Sequence, residues 1–521
     1  MKKLTKLIAT LGMGIALLSA VCAHAQGVLK VRPSGDVKTL DPHITSDSMV
    51  RNYAYMVYDT LFSMDDKLQP QPQMVEKWDR SADSKVYTFT LRDGLRFHDG
   101  QPVTAADAVA SIKRWAQKDG LGQQLIAHTQ ALEALNAKTF KLTLNKPWGL
   151  VLDAFAKPGA PVPFIMPAKV AESSTDKAID SVVGSGPFMF KRDEWSPGSK
   201  LVFVKNPNYV ARAEPPSGFS GSKKVYFDRV EWQIINDHQT ALDALRKGEL
   251  DVHEEIAADL VESAKKSGGV KVINQDNIGV AQQIRMNNLQ PPLNNVKVRQ
   301  AILRAVNGAE FMQAVTDDPT QYKVCASFYV CSSPYFTTAG FPKPDLEVAK
   351  KLVKESGYDG TPVVLLDAAE NANIHAFVSY ADQVLRSIGL KTDVQAMDWA
   401  TVTSRRTNKE PMSKGGWSIF ISGPGGLDFM EPNSHLGLRS NCDKAWFGWP
   451  CDEQIEKLRA EFSDASDATK RKEIAASLQR RALDVVPYVP IAVQYQVRAY
   501  RANLIGQVNP PAPVYWAMRR Q

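Results

Sequence analysis

Beyond residue 21 the 521-residue chain has no long uninterrupted apolar run. Nothing there approaches the roughly 18 residues that a membrane-spanning helix needs. The phosphate-loop pattern G-x-x-x-x-G-K-[ST] is missing, which excludes a P-loop nucleotidase, and so is the G-x-G-x-x-G dinucleotide fingerprint. Gly184-Ser185-Gly186 has the wrong frame for a G-x-S-x-G nucleophile elbow. His253-Glu254-Glu255 begins like a zincin helix, but Ala257 stands where the second histidine belongs. The 8 histidines are all isolated. Catalytic triads are spatial, so these absences lower the enzyme reading without removing it. There is no repeat, no low-complexity tract and no basic arm. Both signs of charge are scattered around a net +7, which argues against a nucleic-acid partner.

Cysteine is sparse, with 5 in all. Cys22 lies in an N-terminal leader. There, Lys2, Lys3 and Lys6 precede an apolar stretch from Leu7 to Val21, and Ala23-His24-Ala25 forms an A-x-A cleavage signal before Gln26. These are the parts of a cleavable secretory signal, so residues 1–25 are expected to be removed and the mature protein to be periplasmic. A lipoprotein signal at Cys22 is disfavoured by Val21, where a small residue is wanted. The remaining cysteines fall into two locally close pairs, Cys325 with Cys331 and Cys442 with Cys451. In an oxidising compartment an even count suggests disulfides. Three connectivities are possible, and the local one is expected. A zinc site is the weaker alternative, because the spacings are wider than the usual C-x₂₋₄-C. No metal and no cofactor is implied.

The rest reads as mixed α/β, too long for one core. Val86 to Arg92, Phe140 to Leu144, Phe188 to Phe190, Leu201 to Val204 and Asp228 to Ile235 are predicted strands. Thr104 to Asp107 has the form of a capping box opening a helix through Trp115. Gly248 is the expected C-cap of a helix over Thr240 to Lys247. In the second half, helices (Val296 to Val306, Leu346 to Ser356, Ala376 to Ile388, Asp452 to Phe462) alternate with apolar strands at Val363 to Leu366 and Ile419 to Ile421. That alternation suggests a largely parallel sheet. Nothing in the pattern places the last apolar strand, Tyr488 to Tyr495.

Several blocks carry a family resemblance. They are Leu40-Asp41-Pro42, Tyr58-Asp59-Thr60-Leu61, Trp78-Asp79-Arg80-Ser81, the long run from Tyr87 to Ala105, Gly184-Ser185-Gly186-Pro187-Phe188, Asn206-Pro207-Asn208-Tyr209, Lys297-Val298-Arg299-Gln300-Ala301 and Gly506. In order and spacing the chain resembles the family 5 extracellular solute-binding proteins, the dipeptide, oligopeptide and nickel type. Most of these blocks are expected to be scaffold: the Asp-Gly and Gly-Pro turns set strand register, and Arg299 serves its helix or an ion pair. The resemblance implies a two-lobe periplasmic binding protein (Venus-flytrap) with an extra subdomain inserted in lobe I. Lobe I would hold 26–69, 189–283 and 491–521, with the insertion at 70–188 and lobe II at 284–490. The hinge would lie near Ile284-Arg285-Met286 and Pro490-Ile491-Ala492.

The same resemblance implies a site. Peptide-binding members pair the ligand's ammonium with an aspartate in a glycine-rich segment of lobe II. Here the matching run is Gly416 to Pro432, and Asp428 falls on that position, with Phe429 beside it and Glu431-Pro432 on the family's Asp-Pro. Leu427 stands where the pattern has glycine, and a turn-capping role for Asp428 is the rival reading. Trp417 and Trp399 are candidate aromatic walls. Gln494 and Tyr495 are candidates at the second crossing. Thr45, Ser46 and Asp47 are candidates for the facing wall from lobe I. The function implied is capture of a small-molecule or peptide ligand by a monomeric protein and delivery to the membrane permease of an ABC transporter. A periplasmic hydrolase and a ligand sensor that signals to a receptor are the rivals.

Overall fold

The computed structural model describes residues 27–173, 177–274, 278–465 and 467–521. The expected leader, 1–25, lies outside the described residues. A seven-stranded sheet runs in the order Phe188–Phe190, Lys200–Lys205, Arg229–Gln233, Val28–Arg32, Val252–His253, Val497–Arg501 and Val270–Asn274. Its centre is parallel, and Leu29, Val31, Val230 and Trp232, register partners on one face, are fully buried there. This sheet forms the first lobe.

A four-stranded antiparallel sheet, Val75–Arg80, Val86–Leu91, Thr139–Leu144 and Thr129–Ala134, extends that lobe. Tyr87, Phe89 and Leu91 alternate inward, as their spacing predicts. The helix Ala105–Trp115 packs over them and opens with the expected capping box, in which Asp107 accepts from the Thr104 backbone at 2.8 Å.

The second lobe holds a six-stranded sheet, ordered Tyr322–Lys323, Tyr488–Gln494, Val280–Met286, Ile419–Ser422, Val363–Ala368 and Thr392–Met397. The expectation of a largely parallel sheet is corrected. Only the pairings of Val363–Ala368, with Thr392–Met397 and with Ile419–Ser422, are parallel, while Val280–Met286 is antiparallel to both of its neighbours. The reason is connectivity. The chain leaves the first lobe between Asn274 and Val280 and returns between Gln494 and Val497, so these adjacent strands link the same two sheets in opposite senses. The crossings expected near Ile284–Met286 and Pro490–Ala492 therefore fall inside the two strands, and the passages lie at their ends.

The sequence blocks prove to be anchors. Asp41 is buried against Arg114 at 2.7 Å and accepts from the backbone of Ile179 at 3.0 Å. Asp59 takes Lys223 and the Tyr209 hydroxyl, each at 2.8 Å. A Cβ on Gly184 would lie 2.0 Å from the Val57 carbonyl oxygen, so only glycine allows that approach. Among the described residues Arg299 makes no ion pair. It donates to the carbonyls of Leu293 (2.8 Å) and Val485 (2.7 Å), the latter ending a helix. Disulfides join Cys325 to Cys331 and Cys442 to Cys451.

The lobes touch. One buried cluster contains Phe89 and Phe155 of the first lobe with Phe429, Phe462 and Tyr488 of the second. Trp148 donates to the Ser463 hydroxyl, and Lys146 pairs with Asp464 at 2.7 Å. Among the described residues no helix is long and apolar enough to cross a membrane.

Candidate functional site at the lobe boundary

The glycine-rich run of the second lobe leaves the strand Ile419–Ser422 and closes in a 3-10 turn, Gly426–Phe429. That turn sets Asp428 against the first lobe. A Cβ on Gly159 would come within 2.7 Å of Asp428 Oδ1 and 3.7 Å of Lys157 Nζ. Lys157 is nearly buried, pairs with Asp119 at 2.9 Å and donates to the carbonyls of Gly159 (2.6 Å) and Pro161 (3.1 Å). Asp119 in turn caps the helix Gly120–His128. The Asp428 carboxylate accepts no hydrogen bond and forms no close ion pair with any described residue; only its backbone carbonyl accepts, from the Leu436 N–H at 3.1 Å. Its side chain does not cap the turn. Glu431 supplies that function instead, accepting from the backbone of Asn433 at 2.8 Å. Burial pushes the Asp428 carboxyl above its usual range, Lys157 and Arg51 pull it back, and Asp119 opposes them. Arg51 stands on the helix Ser48–Val57 of the first lobe.

The other expected residues divide. Trp417 is 0% exposed and packs on Phe420 and Trp449, so it is core and lines no cleft. Phe429 is buried too, its ring 4.6 Å from His435 and 5.8 Å from Tyr488. Trp399 opens the helix Trp399–Arg405, is half-buried and faces Arg406 at 5.8 Å. Gln494 accepts from Gln282 at 2.8 Å, and the Tyr495 backbone donates to Gln321 at 2.7 Å; both stand where the chain returns to the first lobe. Thr45 and Asp47 have a local duty. Asp47 caps the helix carrying Arg51, and its own N–H bonds the Thr45 hydroxyl at 3.1 Å, while Ser46 is exposed. Lys157, Asp119 and Arg51 were not indicated by the sequence. No motif marks them, and they meet Asp428 only through the fold.

Residues 69–446 match the family model for bacterial extracellular solute-binding proteins, family 5. A curated relative in Sinorhizobium fredii, named a "probable peptide ABC transporter periplasmic-binding protein", is 37% identical over 494 residues, covering 93% of this chain and 92% of that one. The chain belongs to family 5 of the bacterial extracellular solute-binding proteins. The glutathione-binding protein of Escherichia coli is 25% identical and covers 96% of this family 5 chain and 95% of its own. Among solved structures, a periplasmic binding protein of A. tumefaciens in complex with agropinic acid superposes with TM-score 0.78 at 23% identity, covering 95% of this chain and 99% of the other. A Pseudoalteromonas dipeptide-binding protein in complex with Met-Leu gives TM-score 0.78 at 20% identity, covering 95% and 100%. Both likenesses establish the two-lobe fold. These relatives are binding proteins and are not named as enzymes.

Proposed function

We propose that this family 5 protein is the periplasmic capture component of an ABC importer for peptides or peptide-like solutes, acting as a monomer and delivering its cargo to a membrane permease. The leader at 1–25 would take it to the periplasm. The observation that carries the ligand reading is the unpartnered Asp428 carboxylate at the lobe boundary. A half-buried anion without a hydrogen bond is costly, and a cationic ligand group relieves that cost. The ligand names of relatives, a peptide, a dipeptide and glutathione, support the same class. On this reading Trp399, Gln494 and Tyr495 flank the ligand, and Thr45 to Asp47 support the facing wall. The test is mass spectrometry of small molecules that copurify with the protein, followed by calorimetric titration of each. Recovery of peptides that rebind supports the proposal; exclusive recovery of solutes without a primary amine removes it.

A further inference from the structure

The turn Gly426–Phe429, which carries Asp428, is held from outside. Three successive carbonyls are taken up: that of Asp428 by the Leu436 N–H at 3.1 Å, that of Phe429 by the Val330 N–H at 3.4 Å and that of Met430 by the Ser333 hydroxyl at 2.5 Å. Val330 and Ser333 stand on either side of Cys331. The disulfide from Cys331 to Cys325 ties them back to the end of the edge strand Tyr322–Lys323 in the second lobe's sheet. A further bond, from the Cys331 N–H to Cys325 Sγ at 3.1 Å, closes the same loop.

The loop is anchored on its inner side too. The Phe328 carbonyl accepts from the Tyr488 hydroxyl at 2.7 Å and from His435 Nε2 at 2.8 Å, and the Phe328 N–H donates to Gln479 at 3.0 Å. His435 Nδ1 accepts from the N–H groups of Gly437 and Leu438, at 3.1 Å each, and its ring packs on Phe429 at 4.6 Å. Burial lowers the His435 pKa to about 3, so the ring is neutral and donates through one nitrogen while accepting through the other. Loop, turn and sheet thus share one buried network. Ala326 in this loop has φ 46°, a left-handed conformation that a residue with a Cβ avoids unless its surroundings impose it. The crosslink opposes its relaxation.

We propose that the Cys325–Cys331 disulfide and Ser333 position Asp428. The closed loop clamps the carbonyls of the turn, so the carboxylate keeps one fixed place at the lobe boundary and a bound ammonium does not have to order it. These are positioning residues, acting on a ligand only through the turn. Their effect on binding rests on the counter-ion reading above, whereas the clamp itself does not. A crosslink that served stability alone would act on the unfolded chain and leave the native turn as it was. The clamp acts in the native state, against local opening of the turn.

The test compares the wild-type chain with Cys325→Ser/Cys331→Ser, Cys442→Ser/Cys451→Ser and Ser333→Ala by hydrogen–deuterium exchange and calorimetry. The amides of Asp428 and Met430, which close the turn onto Gly425 and Leu427, report its opening. Without the Cys325–Cys331 bond they should exchange about tenfold faster, while the strand Val363–Ala368 keeps its rate. Ser333→Ala should give a smaller rise, and loss of the other disulfide none. No rise in the first variant, or an equal rise in both double variants, overturns the proposal. If the first variant does not fold, Ser333→Ala decides, and unchanged exchange there overturns the clamp. Trialanine and N-acetyl-trialanine read the binding consequence. Wild type should prefer the free amine, and the two loop variants should lose about threefold or more of that preference while binding the acetylated peptide as wild type does. A preference kept in full overturns the positioning role. If wild type itself shows no preference, the counter-ion reading has failed, and exchange still decides the clamp.

Discussion

Lys157 of the first lobe and Asp428 of the second face one another across the lobe boundary, with the backbone of Gly159 between them. Lys157 is saturated by Asp119 and two carbonyls, so the charge left over is the aspartate's. On the proposed reading a ligand ammonium would meet an anion that no described residue neutralises by close contact.

Replacing Asp428 by Asn keeps the shape and removes the charge. A peptide with a free amine should then bind about 30-fold to several-thousand-fold more weakly, the cost of breaking a desolvated charge pair being about 2–5 kcal/mol. The melting temperature should barely move, because the side chain caps nothing. Calorimetry beside melting curves checks both halves; unchanged affinity would sink the counter-ion role.

Gly159→Ala places a methyl 2.7 Å from Asp428 Oδ1. The lobes must then stay slightly apart or the carboxylate must rotate. Ligand affinity should fall by roughly tenfold, while each lobe keeps its own packing. Small-angle scattering at ligand saturation should give a larger radius of gyration than wild type.

Asp153 on the helix Val151–Ala156 faces Arg471 and Glu431 of the second lobe, with Tyr335 in the same cluster. Burial raises its pKa from 3.8 to about 6, against the pull of Arg471 and with the push of Glu431. The folded carboxyl holds its proton more tightly than the unfolded one. Its contribution is therefore full below the unfolded pKa and is lost as pH rises from 3.8 towards about 6. Asp153→Asn should flatten the pH dependence across that window and stabilise the protein at pH 7.5 by about 1–3 kcal/mol. Urea midpoints on either side of the window measure it; a slope unaltered in the variant counts against it.

The buried pair of Lys223 and Asp59, with side chains 0% and 1% exposed, ties the start of the chain to the segment after Asn206. Lys223→Met strands the Asp59 carboxylate with only the Tyr209 hydroxyl and a backbone N–H. The expected loss is about 3–5 kcal/mol. Asp59→Asn combined with Lys223→Met should recover part of it, which a double-mutant cycle reads directly.

Both disulfides close short loops, so removing either should cost about 2–3 kcal/mol by loop entropy. Denatured, unreduced mature protein should show no free thiol. Cys442→Ser with Cys451→Ser should also loosen Trp446 and Phe447, which ride on that loop and pack against the Arg406 guanidinium.

Much of the fold was legible because its local signals agree: the alternation in Val86–Leu91, the capping box at Thr104 and the strand–helix alternation after Val363. The helix Ala468–Val485 was not anticipated, since Ala475, Gln479 and Ala482 are among its buried positions and make a faint apolar stripe. Asp428 could be reached through a motif. Lys157 could not, because what distinguishes it is what surrounds it in space. The two tryptophans show the limit best. Trp417 and Trp399 look alike in sequence, yet the first is sealed in the core while the second opens a helix and lies half-buried at the edge of the same apolar cluster.

The two passages between the lobes emerge from neighbouring strands, Val280–Met286 and Tyr488–Gln494. Twin tethers one strand spacing apart behave like the two leaves of a door. They resist shear and torsion but bend easily about one line. Were a ligand to bridge both lobes, the change would be expressed mainly as that one angle, and a partner touching both rims could read it to tell a loaded protein from an empty one.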